Sequence, residues 1–242
     1  MIRKLFAITL FLNMTACAEL QHVANQIPQT QTGSDGGLGS IGNADIAAGL
    51  RQALDLGIEK QVTKLTQTDG FYGNNMVKIL LPSELQKVDD GLRKIGLGSL
   101  ADEGIKALNR AAEDAVKEAT PIFVDAVKGI TFNDAKGILT GNDNAATQYL
   151  TSKTETSLYN KFNPVIKSSF DKVGADKIWS NLINKYNSIP FTDDVNPDLT
   201  DYVTGEALKG VYTMIEVEEK EIRTQYSSRT TDLLKKVFAL QD

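Results

Sequence analysis

The chain has 242 residues, 41% hydrophobic and 24% charged, with one cysteine, one histidine and a formal net charge of −5. That apolar fraction excludes a disordered chain, and the lack of a long uncharged apolar run excludes a polytopic membrane protein. Single copies of Cys and His exclude an intramolecular disulfide framework, a Cys-rich zinc site and a multi-histidine metal centre.

Residues 1–16 read as a secretory signal. Arg3 and Lys4 precede a short apolar run, Leu5 to Leu12, that is bounded by Asn13 and is too short to span a bilayer. Met14-Thr15-Ala16-Cys17 then resembles a bacterial lipobox, which marks Cys17 for lipidation and for cleavage before it. Each buried CH₂ of an acyl chain contributes about 0.8 kcal/mol, so more than one chain holds a protein firmly on a membrane. Ala18 follows, where an Asp would resemble an inner-membrane retention signal, and no acidic run resembles a surface-export signal. The expected location is therefore the bacterial outer membrane, lipid-anchored and facing the periplasm. Losing Arg3 and Lys4 takes the net charge from −5 to −7. Such an acidic body offers no footprint for nucleic acid and no basic face for anionic lipid.

Residues 17–42 read as the lipidated cysteine followed by a flexible linker, because QIPQTQTGSDGGLGSIGN is polar, rich in Gly, Ser and Gln, and without period. Gly36, Gly37 and Gly39 are linker glycines. His22 lies in this stretch, so the body has no histidine.

Residues 43–242 read as a single helical domain. Asn43 is placed to cap a helix carrying Ile46, Leu50, Leu54, Ile58, Val62 and Leu65 at i+3/i+4 spacing. Residues 69–82 break the pattern, with turns at Gly70 and Gly73 and an extended stretch at Val77 to Leu81. Ser83 with Gln86 forms a capping box for a helix ended by Gly96 and Gly98. Ser99 starts the clearest amphipathic helix, with Leu100, Ile105, Leu108, Ala112, Ala115 and Ala119 on one face and Asp102, Glu103, Lys106, Arg110, Glu113, Asp114 and Lys117 on the other. Thr120-Pro121 reads as cap plus first residue of the next helix, ended by Gly129. Thr131 with Asp134 starts another, stopped at Gly141. Asn142 to Asn144 lead into a helix with Tyr149 and Leu150, and Asn163-Pro164 opens one with Val165, Ile166 and Phe170. A further helix carries Ile178, Trp179, Leu182, Ile183 and Tyr186. A long one after Asn196-Pro197 carries Leu199, Tyr202, Val203, Leu208, Tyr212 and Ile215, and the last holds Leu233, Leu234, Val237 and Phe238. The fold class is all-α, a bundle of about nine amphipathic helices joined by short turns.

Four strings in order carry a resemblance: GFYGN (70–74), LPSELQKVDDGLRKIGLG (81–98), LNRAAEDAVKEATPIFVDAVKGITFNDAKGILTGNDNAAT (108–147) and RTTDLLKKVF (229–238). They resemble the bacterial family called domain of unknown function 4197, over the body from about residue 45 to the C-terminus. The resemblance implies a predominantly helical, exported, often lipid-anchored protein. It implies no activity and carries no catalytic residue across.

With no histidine in the body and Cys17 acylated, Ser-His-Asp, Cys-His and HExxH chemistry are excluded. Gly96-Leu97-Gly98-Ser99-Leu100-Ala101 matches GxGxxA, but a helix precedes it where a dinucleotide site needs a strand. Its glycines therefore close one helix and open the next. Asp193, Asp194, Asn196, Asp198 and Asp201 cluster in a loop. Read as an EF-hand from Asp194, the cluster has Leu199 at the sixth place and Gly205 at the twelfth, where Gly and Glu are needed. Capping of the next helix is favoured, and Asp194, Asn196 and Asp198 remain a weak Ca²⁺ candidate.

Asn109, Arg110, Glu113 and Asp114 suggest a polar pocket. The spacings Arg110–Asp114 and Glu113–Lys117 favour ordinary surface pairs worth about 0.2–0.5 kcal/mol each. Phe71 and Tyr72 between glycines, with Asn74, either line a pocket or partner surface or plug the end of the bundle. Arg229 and Asp232 suggest a recognition patch, although Thr230 or Thr231 as a helix cap is favoured. No cofactor is expected. The functional expectation is a non-enzymatic binding or interaction module, for an envelope protein or a small apolar ligand. The alternatives are a carboxylate-dependent envelope hydrolase, which needs two facing Asp/Glu residues, and a structural envelope spacer.

Overall fold

In a computed structural model of the chain, the described residues are 42–81, 86, 90, 93–96, 98–172, 174, 177, 180, 181, 184, 187, 188, 190, 194 and 196–239. They contain seven α-helices and no strand: α1 (Asn43–Leu65), α2 (Gly98–Val116), α3 (Ala119–Lys128), α4 (Phe132–Leu139), α5 (Ala145–Asp171), α6 (Leu199–Thr224) and α7 (Asp232–Phe238), with a 3₁₀ turn at Tyr226–Ser228. Among the described residues no helix is long and apolar enough to cross a membrane. Cys17, the expected signal and linker, Ser83, Asp193 and the stripe Ile178, Trp179, Leu182, Ile183 and Tyr186 lie outside the described residues. Gln86, Asp90, Arg93 and Lys94 are helical, and Gly96 after them has φ +83°, the left-handed geometry of a helix-ending glycine.

Among the described residues the helix count falls below the expected nine partly because Asn163-Pro164 does not open a helix. Pro164 lies inside the 27-residue α5. Leu150, Leu158, Phe162, Ile166 and Phe170 form one unbroken buried stripe across it. A proline inside a helix costs about 3 kcal/mol, whereas burying a large apolar side chain contributes about 1.5–3 kcal/mol. The two such side chains beyond the break, Ile166 and Phe170, together match or outweigh the proline. Nor does Thr120 cap α3: the helix begins at Ala119, which is fully buried and so draws the first turn into the core. Asn43 is likewise the first helical residue, with Gly42 at the capping position. Val77 to Leu81 is not a strand, because the backbone of Ile79 pairs with a side chain rather than with a second strand.

Other local readings hold. Thr131 and Asp134 form a reciprocal capping box on α4, Thr131 accepting at 3.2 Å from Asp134 N. Thr231 caps α7, and Asp198 caps α6. The most extensive helix contact joins α5 and α6. α1 packs on α3, α4, α6 and α7, and α2 packs on α5 and α6. That central position explains why α1 buries Ala53, Gly57 and Gln61 beside its leucine stripe. Gly210 of α6 is fixed by close approach: a Cβ there would lie 2.7 Å from the ring of Phe71. The ring of a loop residue thus rests directly on the α6 backbone.

Candidate functional site

The segment after α1 turns back at Asp69, whose φ of 64° is left-handed. Gly70 follows where a Cβ would collide with Leu65 O at 2.5 Å. Two tight turns continue the reversal, through Gly73 N to Asp69 O at 2.8 Å and Lys78 N to Asn74 O at 2.8 Å. A loop built this way exposes backbone amides without helical partners. Residues of α2 supply those partners.

Glu113 accepts from Phe71 N at 3.1 Å and Tyr72 N at 3.4 Å. Arg110 donates to Glu113 Oε2 and, at 2.8 Å, to Asp69 Oδ1, closing a clamp from both sides of the turn. One turn of helix away, Asn109 accepts from Ile79 N at 2.8 Å and donates to Ile79 O at 2.8 Å, so its amide mimics a neighbouring strand. Tyr202 of α6 donates to Leu80 O at 2.8 Å. Asn74 accepts from Met76 N at 3.1 Å and reaches Met214 Sδ at 3.5 Å.

This geometry corrects the surface-face reading of α2. Asn109 is completely buried and Glu113 is 4% exposed. Arg110 pairs with Glu113 and Asp69 rather than Asp114, and Lys117 pairs with Asp114 at 2.7 Å rather than with Glu113. Spacing along one helix shows which residues are neighbours, but not whether a loop from elsewhere lies over them.

The loop brings Phe71, Tyr72, Asn74, Arg110 and Glu113 together. Phe71 is wholly buried and faces α6, so it anchors the loop instead of presenting a surface. Tyr72 is half-buried beneath the Lys78 ammonium, 4.0 Å from its ring centre. Met76 and Leu80 are held outward, 60% and 47% exposed.

Arg229 and Asp232 belong to a different constellation. Arg229 is buried and donates to Ile222 O at 3.1 Å and Arg223 O at 2.9 Å, closing the C-terminus of α6. A recognition role would need that guanidinium at the surface. Asp232 is exposed in the first turn of α7, 3.5 Å from Lys235. In the weak Ca²⁺ candidate, Asp194 is exposed, Asp198 Oδ1 accepts from Asp201 N, and Asn196 Oδ1 accepts from Asp198 N, both at 2.9 Å. Those oxygens serve helix capping, and among the described residues no group of three or more acidic, His or Cys residues is placed to hold a metal.

A second buried carboxylate site escaped the sequence reading. Glu219 accepts from Ala146 N at 2.9 Å and Thr147 N at 2.8 Å, the exposed amides of the α5 N-terminus, and Arg223 pairs with it at 2.7 Å. The i,i+4 spacing of Glu219 and Arg223 was the available signal. Beside it, Glu218 binds Lys60 at 2.7 Å and Gln61 at 2.5 Å. A small cavity under α7, lined by Leu54, Ile215, Arg223 and Phe238 among others, measures about 20 Å³.

Residues 40–239 match the family described as Protein of unknown function (DUF4197). The chain belongs to this family. No curated protein and no solved structure matches it. The match covers all seven helices, so the DUF4197 domain includes both the loop held by Asn109 and Glu113 and the α5 fastening held by Glu219.

Proposed function

We propose that this DUF4197 protein is a non-enzymatic interaction module of the bacterial envelope. Lipid on Cys17 holds it at the outer membrane, facing the periplasm, and the loop 69–81 engages a protein partner. The observation that carries this reading is the clamped loop: Asn109, Glu113 and Tyr202 hold its backbone while Met76 and Leu80 stand in solvent. A preorganised loop with exposed apolar tips suits protein recognition, because little ordering entropy remains to be lost on binding. Buried carboxylates support the same reading against the hydrolase. Glu113, Glu218 and Glu219 are each occupied by backbone amides, Gln61, Lys or Arg. The mostly apolar cavity under α7 has room for about one water, which leaves no space there for a small apolar ligand.

The test joins two measurements in intact cells. Labelled palmitate enters the wild type and not Cys17→Ser, and a photo-crosslinker at position 76 or 80 yields a discrete adduct that the same probe at Asp232 does not. Label retained in Cys17→Ser overturns the anchor. Identical adduct patterns from the loop and from Asp232 overturn the partner surface.

A further inference from the structure

A groove of about 450 Å³ runs between α5 and α6. Its lining includes the half-buried Tyr159 and Tyr212, of which only 9% is exposed, and Gly205 forms part of its floor. Gly205 lies in the interior of α6, is exposed, and has nothing within 4 Å of the position a Cβ would take. A glycine there costs about 0.8–1 kcal/mol of helix stability relative to Ala, and no packing contact requires it. Gly104 and Gly137 are equally open, but Gly205 is the one that lines this groove.

Both tyrosines are locked. Tyr159 donates to Asp201 Oδ1 at 2.6 Å, a bond that pushes its pKa up to about 12 and keeps it a donor. The Tyr212 hydroxyl bonds Thr154 at 2.8 Å, and its ring stands edge-on to Phe123 with centroids 6.1 Å apart. Glu155 and Thr156 line the groove, and no described residue pairs with either side chain. Lys209 sits across from them, 3.6 Å from Glu206.

We infer that this groove is a binding site for a neutral, extended saccharide. A sugar ring has an apolar C–H face and a rim of hydroxyls that both donate and accept. The groove answers with the half-buried Tyr159 ring for the face and with the Glu155 carboxylate, the Thr156 hydroxyl and the Lys209 ammonium for the rim. The bare backbone at Gly205 lets a ring approach closely. Charge on the lining is mixed, so neither an anion nor a cation is selected. An extended peptide fits less well, because two α-helices offer no unpaired backbone edge to satisfy its amides. A partner helix would need a row of apolar anchors, and Leu208 is the sole aliphatic side chain lining the groove. The volume lies in the range of small-ligand sites, about 300–1,000 Å³. The inference does not depend on lipidation or on the loop surface.

The probe is chitotetraose, a straight β-1,4-linked tetrasaccharide, titrated into the ¹⁵N-labelled full-length chain carrying Cys17→Ser. The expected result is saturable binding with a Kd of about 1 mM or tighter, with shifts at 155–159 and 205–212. Gly205→Leu fills the floor and weakens binding at least about tenfold, while Gly205→Ala folds with a raised melting temperature. Glu155→Ala on the helix surface gives the same loss of binding without touching the floor, which covers the case of Gly205→Leu failing to fold. No saturable binding by the wild type overturns the inference. So does binding that both Gly205→Leu and Glu155→Ala leave intact, or binding of tetra-alanine in preference to the saccharide.

Discussion

Glu113 and Glu219 perform the same chemistry in two regions with different consequences. Each is buried on a helix, accepts two backbone N–H groups from another element, and is balanced by an arginine on its own helix. At Glu219 the cation is buried too: the Arg223 side chain is 6% exposed and also donates to Ile138 O at 2.9 Å, so one pair fastens α4, α5 and α6. At Glu113 the Arg110 side chain is 32% exposed and reaches outward to Asp69. One carboxylate ties the core together; the other holds a displayed loop in place. The lesson is that the surroundings of the counter-ion, more than those of the carboxylate, decide whether such a site serves stability or presentation.

Glu219→Ala should break the comparison most severely. It strands a buried arginine and orphans two amides, so a loss of about 3–5 kcal/mol is expected, seen in thermal melts as a drop of roughly 6–20 °C. Adding Arg223→Met should recover part of it, because the uncompensated charge is gone; a double variant no more stable than Glu219→Ala would show that the ion pair is not the cause. Glu113→Ala should cost less, about 1–3 kcal/mol, since Arg110 turns to water. Its signature is local: hydrogen exchange at Phe71 and Tyr72 should accelerate, while Glu219→Ala leaves those amides protected until global unfolding.

The smallest effect tests the exposed version of the same device. Hydrogen bonds from the Thr131 backbone N–H and then its hydroxyl hold the Asp134 carboxyl below its ordinary value of 3.8. A lowered folded-state pKa means stability that is present at neutral pH and lost as pH falls through that pKa. The gap in melting temperature between wild type and Asp134→Asn should therefore be open at pH 7 and close below pH 3.8. A gap unchanged in acid would show that the cap acts without its charge. Thr131→Ala should cost about 1 kcal/mol at neutral pH.

Much of the fold was legible because its signals are local. The α1 stripe, the Thr131–Asp134 box and the Thr231 cap depend on residues within a few turns of each other. Pro164 misled for the same reason: the local rule says stop, and the burial of Phe162, Ile166 and Phe170 against other helices overrides it. At the candidate site, GFYGN was legible as a Gly-flanked aromatic loop, and Asn109, Arg110 and Glu113 were legible as a polar cluster on one helix. Their burial was not legible, because it depends on a turn some forty residues away folding over them. Glu219 stayed hidden similarly, since its ligands are amides of α5.

The amino-acid order alone thus determined an all-helical chain, most helix boundaries and the lack of histidine chemistry in the body, because periodicity, capping and composition are properties of neighbours along the chain. Tertiary structure alone decided which polar side chains leave the surface. A buried carboxylate or amide is tolerated only where unpaired backbone groups of a distant segment meet it, and that meeting exists only once the helices are packed.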